Sequence, residues 1–222
     1  MANKPRPKLV SIGSISAASL LINGFDDQGE NITAIVPTTD TGSSTGIIRN
    51  KFSMPAPGDV GAVLVAMGSN EGERAVLKKL FEYRLKPGQF SELNNMALGN
   101  LLLAALVDML GSFSEAVKMA GRMLGIKGKV LPVTTANTDI KAVLGNDKEV
   151  RGEEEIRRLE KPPIKKLFLE RNSVELGEGV DEAVMNADII TIGPGCLYTS
   201  IIACLIVPGL TEILKKTKAK II

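Results

Sequence analysis

Short apolar runs rich in β-branched residues alternate along the chain with stretches that have helical spacing of apolar positions. Strands are predicted over residues 8–12 and 31–36, and a helix over residues 15–23 lies between them and ends at Gly24. A strand, a helix and a second strand within about thirty residues form a βαβ unit, which requires parallel strands. The pattern therefore predicts an α/β fold with a mostly parallel sheet.

The middle of the chain is helical and is followed by short strands. Pro57, Gly58 and Asp59 open a helix that Asp59 is expected to cap. Three further helices are predicted, and the second of them carries LLLAALV, which is typical of a helix buried on all sides. These helices cover residues 71–83, 95–110 and 113–124. Strands are then predicted over residues 129–135, 138–144 and 164–169, with a hairpin-type turn over 145–147.

The remaining elements are a helix over residues 180–186, a strand over 188–192, helices over 198–207 and 211–216, and a strand over 219–222. The length of 222 residues favours one domain over residues 1–222, with a helical insert at about 60–125 and a small strand-rich portion at about 128–170. The charged run over residues 153–158 is expected to be a solvated face.

Composition narrows the chemistry that the chain can perform. The absence of histidine excludes Ser-His and Cys-His nucleophile pairs and His-based zinc sites. A net charge of +2 and an aromatic content of 4% argue against nucleic-acid binding. Cys196 and Cys204 fit two reduced thiols in a cytoplasmic protein. The apolar stretch over residues 197–210 is too short to span a membrane and contains Pro208, so no membrane span is predicted.

A loop rich in glycine and hydroxyl groups is predicted over residues 37–46, after the second predicted strand. Glycines let backbone N–H groups face outward, and the hydroxyls add donors around an anion such as a phosphate. Arg49 could add a charged contact, and Asp40 could hold a divalent ion or a ribose hydroxyl. A plain surface loop with Asp40 as a turn residue is the alternative. The candidate residues are Asp40, Thr41, Gly42, Ser43, Ser44, Thr45 and Arg49.

A second candidate loop lies between the strand over 188–192 and the apolar helix after it. The first backbone N–H groups of a helix and its dipole favour a bound phosphate at this position. The alternative is a tight strand-to-helix turn without a ligand. The candidate residues are Gly193, Pro194, Gly195, Cys196, Thr199 and Ser200.

Four weaker candidates complete the set. Gly13 and Ser14 follow the first strand, where a dinucleotide fingerprint would lie, but only one glycine is present. Asp59 is a carboxylate at a helix start, and Asn100 is an amide inside an apolar helix that needs a partner in the protein or a ligand. Without a neighbouring base, Cys196 is not expected to be a nucleophile.

Several blocks occur in an order that resembles the CofD-like family, and specifically its bacterial YvcK branch, the gluconeogenesis factors. The blocks are ITAIV and DTGSSTGIIR within residues 32–49, PGD at 57–59, LFEYRL at 80–85, LGNLLLAAL at 98–106, VLPVT at 130–134, RGEEEI at 151–156 and TIGPGCLYTSII at 191–202. The GPG-x-LYTSI block is the most specific, and the resemblance covers nearly the whole chain.

The resemblance implies a Rossmann-like three-layer α/β sandwich in which both glycine loops line a nucleotide site. CofD transfers a phospholactyl group with Mg²⁺, whereas the YvcK branch binds a UDP-sugar, has no established reaction, and is linked to gluconeogenic growth, cell-wall synthesis and cell shape. The chain departs from the family pattern at its first glycine loop and at Ser43, Gly61-Ala62, Cys196 and Ala203-Cys204, and the family's histidine before the GN-L block is absent. Relatives also continue beyond the last strand, whereas this chain stops at Ile222.

Three functions are therefore open. The first is a regulatory protein that binds a nucleotide-type small molecule, a UDP-sugar, without catalysis. The second is a Mg²⁺-dependent enzyme similar to 2-phospho-L-lactate transferase. The third is an interaction module without a ligand, which an exposed apolar patch near residues 201–210 would favour. A homodimer is the commonest assembly for such a chain.

Overall fold

The computed structural model describes residues 6–25, 31–86, 95–158, 160 and 162–222. Its centre is a five-stranded parallel sheet in the order β3-β2-β1-β7-β8. β1 and β2 are mostly apolar, interrupted only by Ser11 and Thr33, because both of their faces are covered, as in other parallel sheets. The strands are β1 (Leu9–Ile12), β2 (Ile32–Val36), β3 (Lys129–Pro132), β7 (Ile189–Ile192) and β8 (Lys220–Ile221).

Helices cover both faces of this sheet, which confirms the three-layer α/β fold. One face is covered by six helices that share a core, which includes Val36, Leu64 and Leu103. The other face packs against three shorter helices through a core that includes Ile12, Val184 and Ile190. The first group of helices comprises α1 (Ile15–Gly24), α2 (Ser43–Phe52), α3 (Gly58–Met67), α4 (Gly72–Glu82), α5 (Leu98–Leu110) and α6 (Phe113–Leu124). The second group comprises α8 (Val180–Met185), α9 and α10 (Leu210–Leu214), where α9 is a π-helical turn, Leu197–Ile202, continued by Ala203–Leu205.

A second, antiparallel sheet in the order β5-β4-β6 lies beside the first. The turn predicted over residues 145–147 joins β4 (Ile140–Leu144) to β5 (Glu149–Arg151), with Asp147 in the left-handed region. The short helix α7 (Glu153–Arg157) follows β5, and β6 (Ile164–Leu169) completes the sheet. Ile140, Ala142 and Ile156 pack on Ala203 of α9, so this small sheet borders the second candidate loop.

Three predictions about individual elements are wrong. The loop over residues 37–46 ends at Gly42, because α2 (Ser43–Phe52) begins within it. Asp59 does not cap α3: the helix already begins at Gly58, and Asp59 lies in its first turn without a capping hydrogen bond. α5 is not buried on all sides, since Ala105 and Met109 face outward while Leu103 faces the core. The helix predicted over residues 71–83 is α4 (Gly72–Glu82).

Candidate functional site

The central strand β1 lies at the point where the strand order reverses. The chain passes from β1 to β2 on one side, whereas β7 pairs with β1 on the other side. In open parallel sheets, ligands bind at the carboxyl ends of the strands at this switch point. The loops that follow β1 and β7 meet there, because a Cβ built on Gly195 would lie 3.5 Å from the Ser14 hydroxyl oxygen.

Hydrogen bonds from glycine hold both loops against the strand ends. The Gly13 N–H donates to the Ile35 carbonyl at 3.0 Å, and the Gly193 N–H donates to the Ile12 carbonyl at 3.0 Å. Gly13 has φ +142° and Gly193 has φ +88°, values that favour glycine. These two positions therefore determine how the backbone leaves the centre of the sheet.

A cleft of about 1020 Å³ opens beside these loops. Its volume is at the upper end of the range for small-molecule sites. Of the sequence-predicted residues, five line it: Asp40, Gly42, Thr45, Asp59 and Asn100. The lining also has an apolar part, which includes Ala62, Val65, Phe81 and Ala97, and a cationic part, which consists of Arg84, Arg157 and Arg158.

Asp40 both shapes its loop and lines the cleft. Its Oδ1 accepts a hydrogen bond of 2.7 Å from the Gly42 N–H, which is the turn that the alternative interpretation of this loop predicted. Gly58 allows the start of α3 to approach, since a Cβ there would lie 2.9 Å from Asp40 Oδ2 and 2.6 Å from the Thr45 hydroxyl oxygen. The Asp40 loop and the first turn of α3 thus form one wall.

Glu153 is the functional candidate that the sequence analysis missed. It belongs to the charged run that was expected to be solvated, yet its side chain is only 16% exposed and lines the cleft. Its Oε1 accepts a 3.0 Å hydrogen bond from the Thr199 hydroxyl of α9, and its carboxyl group is hydrogen-bonded to Asp40. The signal available in the sequence was Gly152, which directly precedes the first acidic residue of the run. In the structure this glycine has φ +84°.

Thr41 connects the Asp40 loop to α7. Its hydroxyl oxygen accepts a 2.9 Å hydrogen bond from the Glu153 N–H. The fit is close, because a Cβ on Gly152 would lie 2.8 Å from the same oxygen. The contact satisfies one of the free N–H groups at the start of α7 and places Glu153 next to Asp40.

Replacing Thr41 with valine should therefore detach α7 from the Asp40 loop. The variant leaves the Glu153 N–H without its partner, and we expect a loss of about 1–2 kcal/mol of unfolding free energy. Urea titration measures this loss, and Thr41→Ser, which retains the hydroxyl, is the control. Equal stability of Thr41→Val and the unmodified protein would contradict the assigned contact.

Three carboxyl groups interact electrostatically in the cleft. Burial, followed by the charge of Asp40, raises the pKa of Asp59 to about 7, against a partial compensation by Arg157. Burial, followed by the hydrogen bond to Asp40 and its charge, raises the pKa of Glu153 to about 7. Both groups therefore change charge near neutral pH, where a bound cation or a proton could neutralise the cluster.

The carboxylate oxygens of this cluster are the ligand type that Mg²⁺ prefers. In the described part of the chain, no group of three or more His, Cys, Asp or Glu side chains is placed to hold a metal ion, but Mg²⁺ is usually held by only one or two carboxylates together with substrate phosphates. The role of Asp40 as a metal ligand stays a prediction.

The second candidate loop adjoins the cleft through Thr199 and does not line it directly. The peptide bond between Gly193 and Pro194 is cis. Burial raises the pKa of the Cys196 thiol, but hydrogen bonds from Thr199 and Tyr198 outweigh this effect and lower it overall. Ser200 is buried in the first turn of α9.

Arg49 points away from the cleft into the protein. Its Nε donates to Asn137 Oδ1 at 2.6 Å, and its guanidinium group forms a buried ion pair with Asp139. Asp139 also accepts from Arg151 at 2.7 Å. Arg49 thereby fixes α2 to the small sheet, and the guanidinium groups that do line the cleft come from Arg84, Arg157 and Arg158. Ser43 and Ser44 lie in the first turn of α2.

The fold and the site define a three-layer α/β protein that has glycine loops at the switch point of its parallel sheet and a carboxylate-lined cleft beside them. A sequence model described as CofD, 2-phospho-L-lactate transferase CofD, matches residues 10–222, and the chain belongs to this family.

Within this family the chain is of the YvcK type, since its curated relatives are named gluconeogenesis factors. A putative gluconeogenesis factor from Thermotoga maritima is 41% identical over 96% of this chain and 66% of its own length. The gluconeogenesis factor of Bacillus subtilis is 37% identical over 97% of this chain and 66% of its own length. The chain thus spans about two thirds of the length of these relatives.

Solved structures support the same assignment. A crystal structure of a Bacillus halodurans protein superimposes with a TM-score of 0.87 at 34% identity, covering 97% of this chain and 68% of that one. A second crystal structure of the same Bacillus halodurans protein gives a TM-score of 0.88. No helix among the residues that the structure describes is both long and apolar enough to cross a membrane.

Proposed function

We propose that the chain binds a UDP-sugar in the cleft and acts as a regulatory protein of the gluconeogenesis-factor type. The observation that carries the proposal is the meeting of the Asp40 loop, the first turn of α3 and α7 around one cleft at the switch point of the sheet. A nucleotide diphosphate sugar has an anionic centre and two larger groups. The cleft offers arginines for the first and a partly apolar wall for the others.

Isothermal titration calorimetry with UDP-N-acetylglucosamine, UDP-glucose, NAD and GMP, each with and without Mg²⁺, tests this proposal. We expect one UDP-sugar to bind without a Mg²⁺ requirement. At a concentration of 100 times its Kd, this ligand should raise the free energy of unfolding by about 2.7 kcal/mol. Ala62→Trp, which places a large ring in the cleft, should weaken binding at least tenfold, as should Asp40→Asn. Ala105→Trp, on the exposed face of α5, is the control. Absence of binding by every UDP-sugar would refute the proposal.

The cellular part of the proposal is a link to carbon metabolism and cell-wall synthesis. The names of the curated relatives support the first link. Growth of a deletion strain on a gluconeogenic carbon source should require a copy of the gene that retains UDP-sugar binding. Full complementation by the Ala62→Trp variant would separate the cellular role from the cleft.

A Mg²⁺-dependent transferase is the second candidate, favoured by the description of the matching family model. Turnover of a phospholactyl donor that requires Mg²⁺ and disappears in Asp40→Asn would establish it. An interaction module would have been favoured by an exposed apolar patch near residues 201–210. The apolar side chains Ala203, Cys204, Val207 and Leu210 of this segment are instead buried.

A further inference from the structure

A second cavity, of about 590 Å³, lies at the opposite edge of the parallel sheet. It is lined by the first residues of three strands, including Leu9 of β1, Thr33 of β2 and Lys129 of β3. α6 borders it on one side and α8 on the other. The four residues of β1, about 13 Å of extended chain, separate this edge from the UDP-sugar cleft, so the two sites cannot share a ligand of ordinary size.

The floor of this cavity is apolar. It consists of side chains from the strand starts and from α6 and the loop after it, chiefly Leu9, Val10, Val117, Ile126, Val130 and Leu131. Five of these six side chains are already buried, so an apolar ligand body placed against this floor would gain chiefly by removing its own hydrocarbon from water. The polar groups Asn31, Thr33 and Asn186 stand at its margin and could orient a ligand.

The rim is positively charged. Among the described residues, four cations line the cavity, namely Lys8, Lys118, Arg122 and Lys129, against two carboxylates, Glu178 and Glu182, which leaves a balance of +2. Lys118 is already neutralised, since its Nζ lies 3.0 Å from Glu178 and 2.9 Å from Glu115.

The other three cations have no such compensation. Within the part of the chain that the structure describes, Lys8, Arg122 and Lys129 have no carboxylate within ion-pair distance of their side chains. All three line the same cavity, and an anion bound there would be attracted by each of these charges. Arg122 adds a planar fork of donors that matches a phosphate or carboxylate group.

We propose that this cavity is a second ligand site, for a small organic anion with an apolar body. The phosphate or carboxylate head binds at the rim formed by Lys8, Arg122 and Lys129, and the apolar body covers the floor between α6 and α8. The site is independent of the proposed UDP-sugar cleft, and the two ligands bind at the same time.

Hexyl phosphate is a probe of this chemistry, and calorimetry with the full chain measures its binding. Arg122→Glu reverses a rim charge on an exposed position of α6 and should weaken hexyl phosphate binding at least tenfold. Lys127→Glu makes the same charge change at an exposed residue that does not line the cavity, and it should change the Kd less than threefold. Neither variant should alter UDP-sugar binding, which separates failure here from failure of the proposed function.

Two further arms test the two halves of the site. Inorganic phosphate lacks the apolar body and 1-hexanol lacks the charge, and we expect each to bind at least tenfold more weakly than hexyl phosphate. Equal binding of inorganic phosphate, an equal loss in Lys127→Glu, or no binding of hexyl phosphate to the unmodified protein would each overturn the proposal.

Discussion

Replacing Arg49 with methionine is expected to lower the free energy of unfolding by about 3 kcal/mol. The side chains of Arg49 and Asp139 are 6% and 7% exposed, so the substitution leaves a buried carboxylate with Arg151 as its remaining cationic partner. Removing one partner of a buried ion pair typically costs about 3–5 kcal/mol, and Arg151 reduces that cost here. Chemical unfolding of both proteins at pH 7 measures the difference.

A surface pair provides the control for this experiment. Lys165 and Asp147 lie 2.8 Å apart with 51% and 81% of their side chains exposed, and Lys165→Met should cost less than about 1 kcal/mol. A combined Arg49→Met and Asp139→Leu variant should regain part of the lost stability, because no uncompensated carboxylate remains. If Arg49→Met were fully stable but lost UDP-sugar binding, Arg49 would be a ligand contact, as its loop first suggested.

Replacing Asp59 with asparagine should have the opposite effect at alkaline pH. Burial and the charge of Asp40 raise the pKa of Asp59 from 3.8 to about 7. A carboxyl group with a raised pKa in the folded state binds its proton more tightly there than in the unfolded chain. Its contribution to stability is therefore fully present below about pH 4 and is lost as the pH rises through 7.

Asparagine has nearly the same shape and no charge to bury. At pH 8.5 we expect Asp59→Asn to be more stable than the unmodified protein by about 2–4 kcal/mol, and at pH 4 by less than about 1 kcal/mol. Urea titrations at both pH values in metal-free buffer measure the difference. Asp108→Asn, at an exposed position of α5 outside the cleft, should change stability by less than about 0.5 kcal/mol at either pH. A gain in Asp59→Asn that does not depend on pH would contradict the raised pKa.

The parallel sheet was predictable because its strands are buried on both faces. β1 and β2 are mostly apolar with β-branched residues, and the positions of Gly13 and Gly193 mark where the chain turns at the switch point. Local sequence therefore carries enough information to place both glycine loops at one edge. The resemblance to the CofD-like family supplied the remaining architecture.

The partners of individual charged residues were not predictable in the same way. Glu153 and Arg49 both lie in polar stretches, and one faces the cleft while the other faces the protein interior. Their environments depend on contacts with Thr199 and Asp139, which lie 46 and 90 residues away along the chain. Charge and periodicity describe only the near neighbours, so such pairings require the folded structure.

The central strand β1 is synthesised long before the second of its two neighbouring strands. Its register pairs Leu9 with Ile32 on one side and with Ile189, 180 residues later, on the other. At translation rates of about 5–20 residues per second, the ribosome needs about 10–40 s to make the second neighbour after the first strand has emerged. During that interval one edge of β1 is without its native partner. The switch point, and with it any ligand site there, can form only after β7 has been made, so a nascent chain should acquire protease resistance in a single step once β7 has left the ribosome.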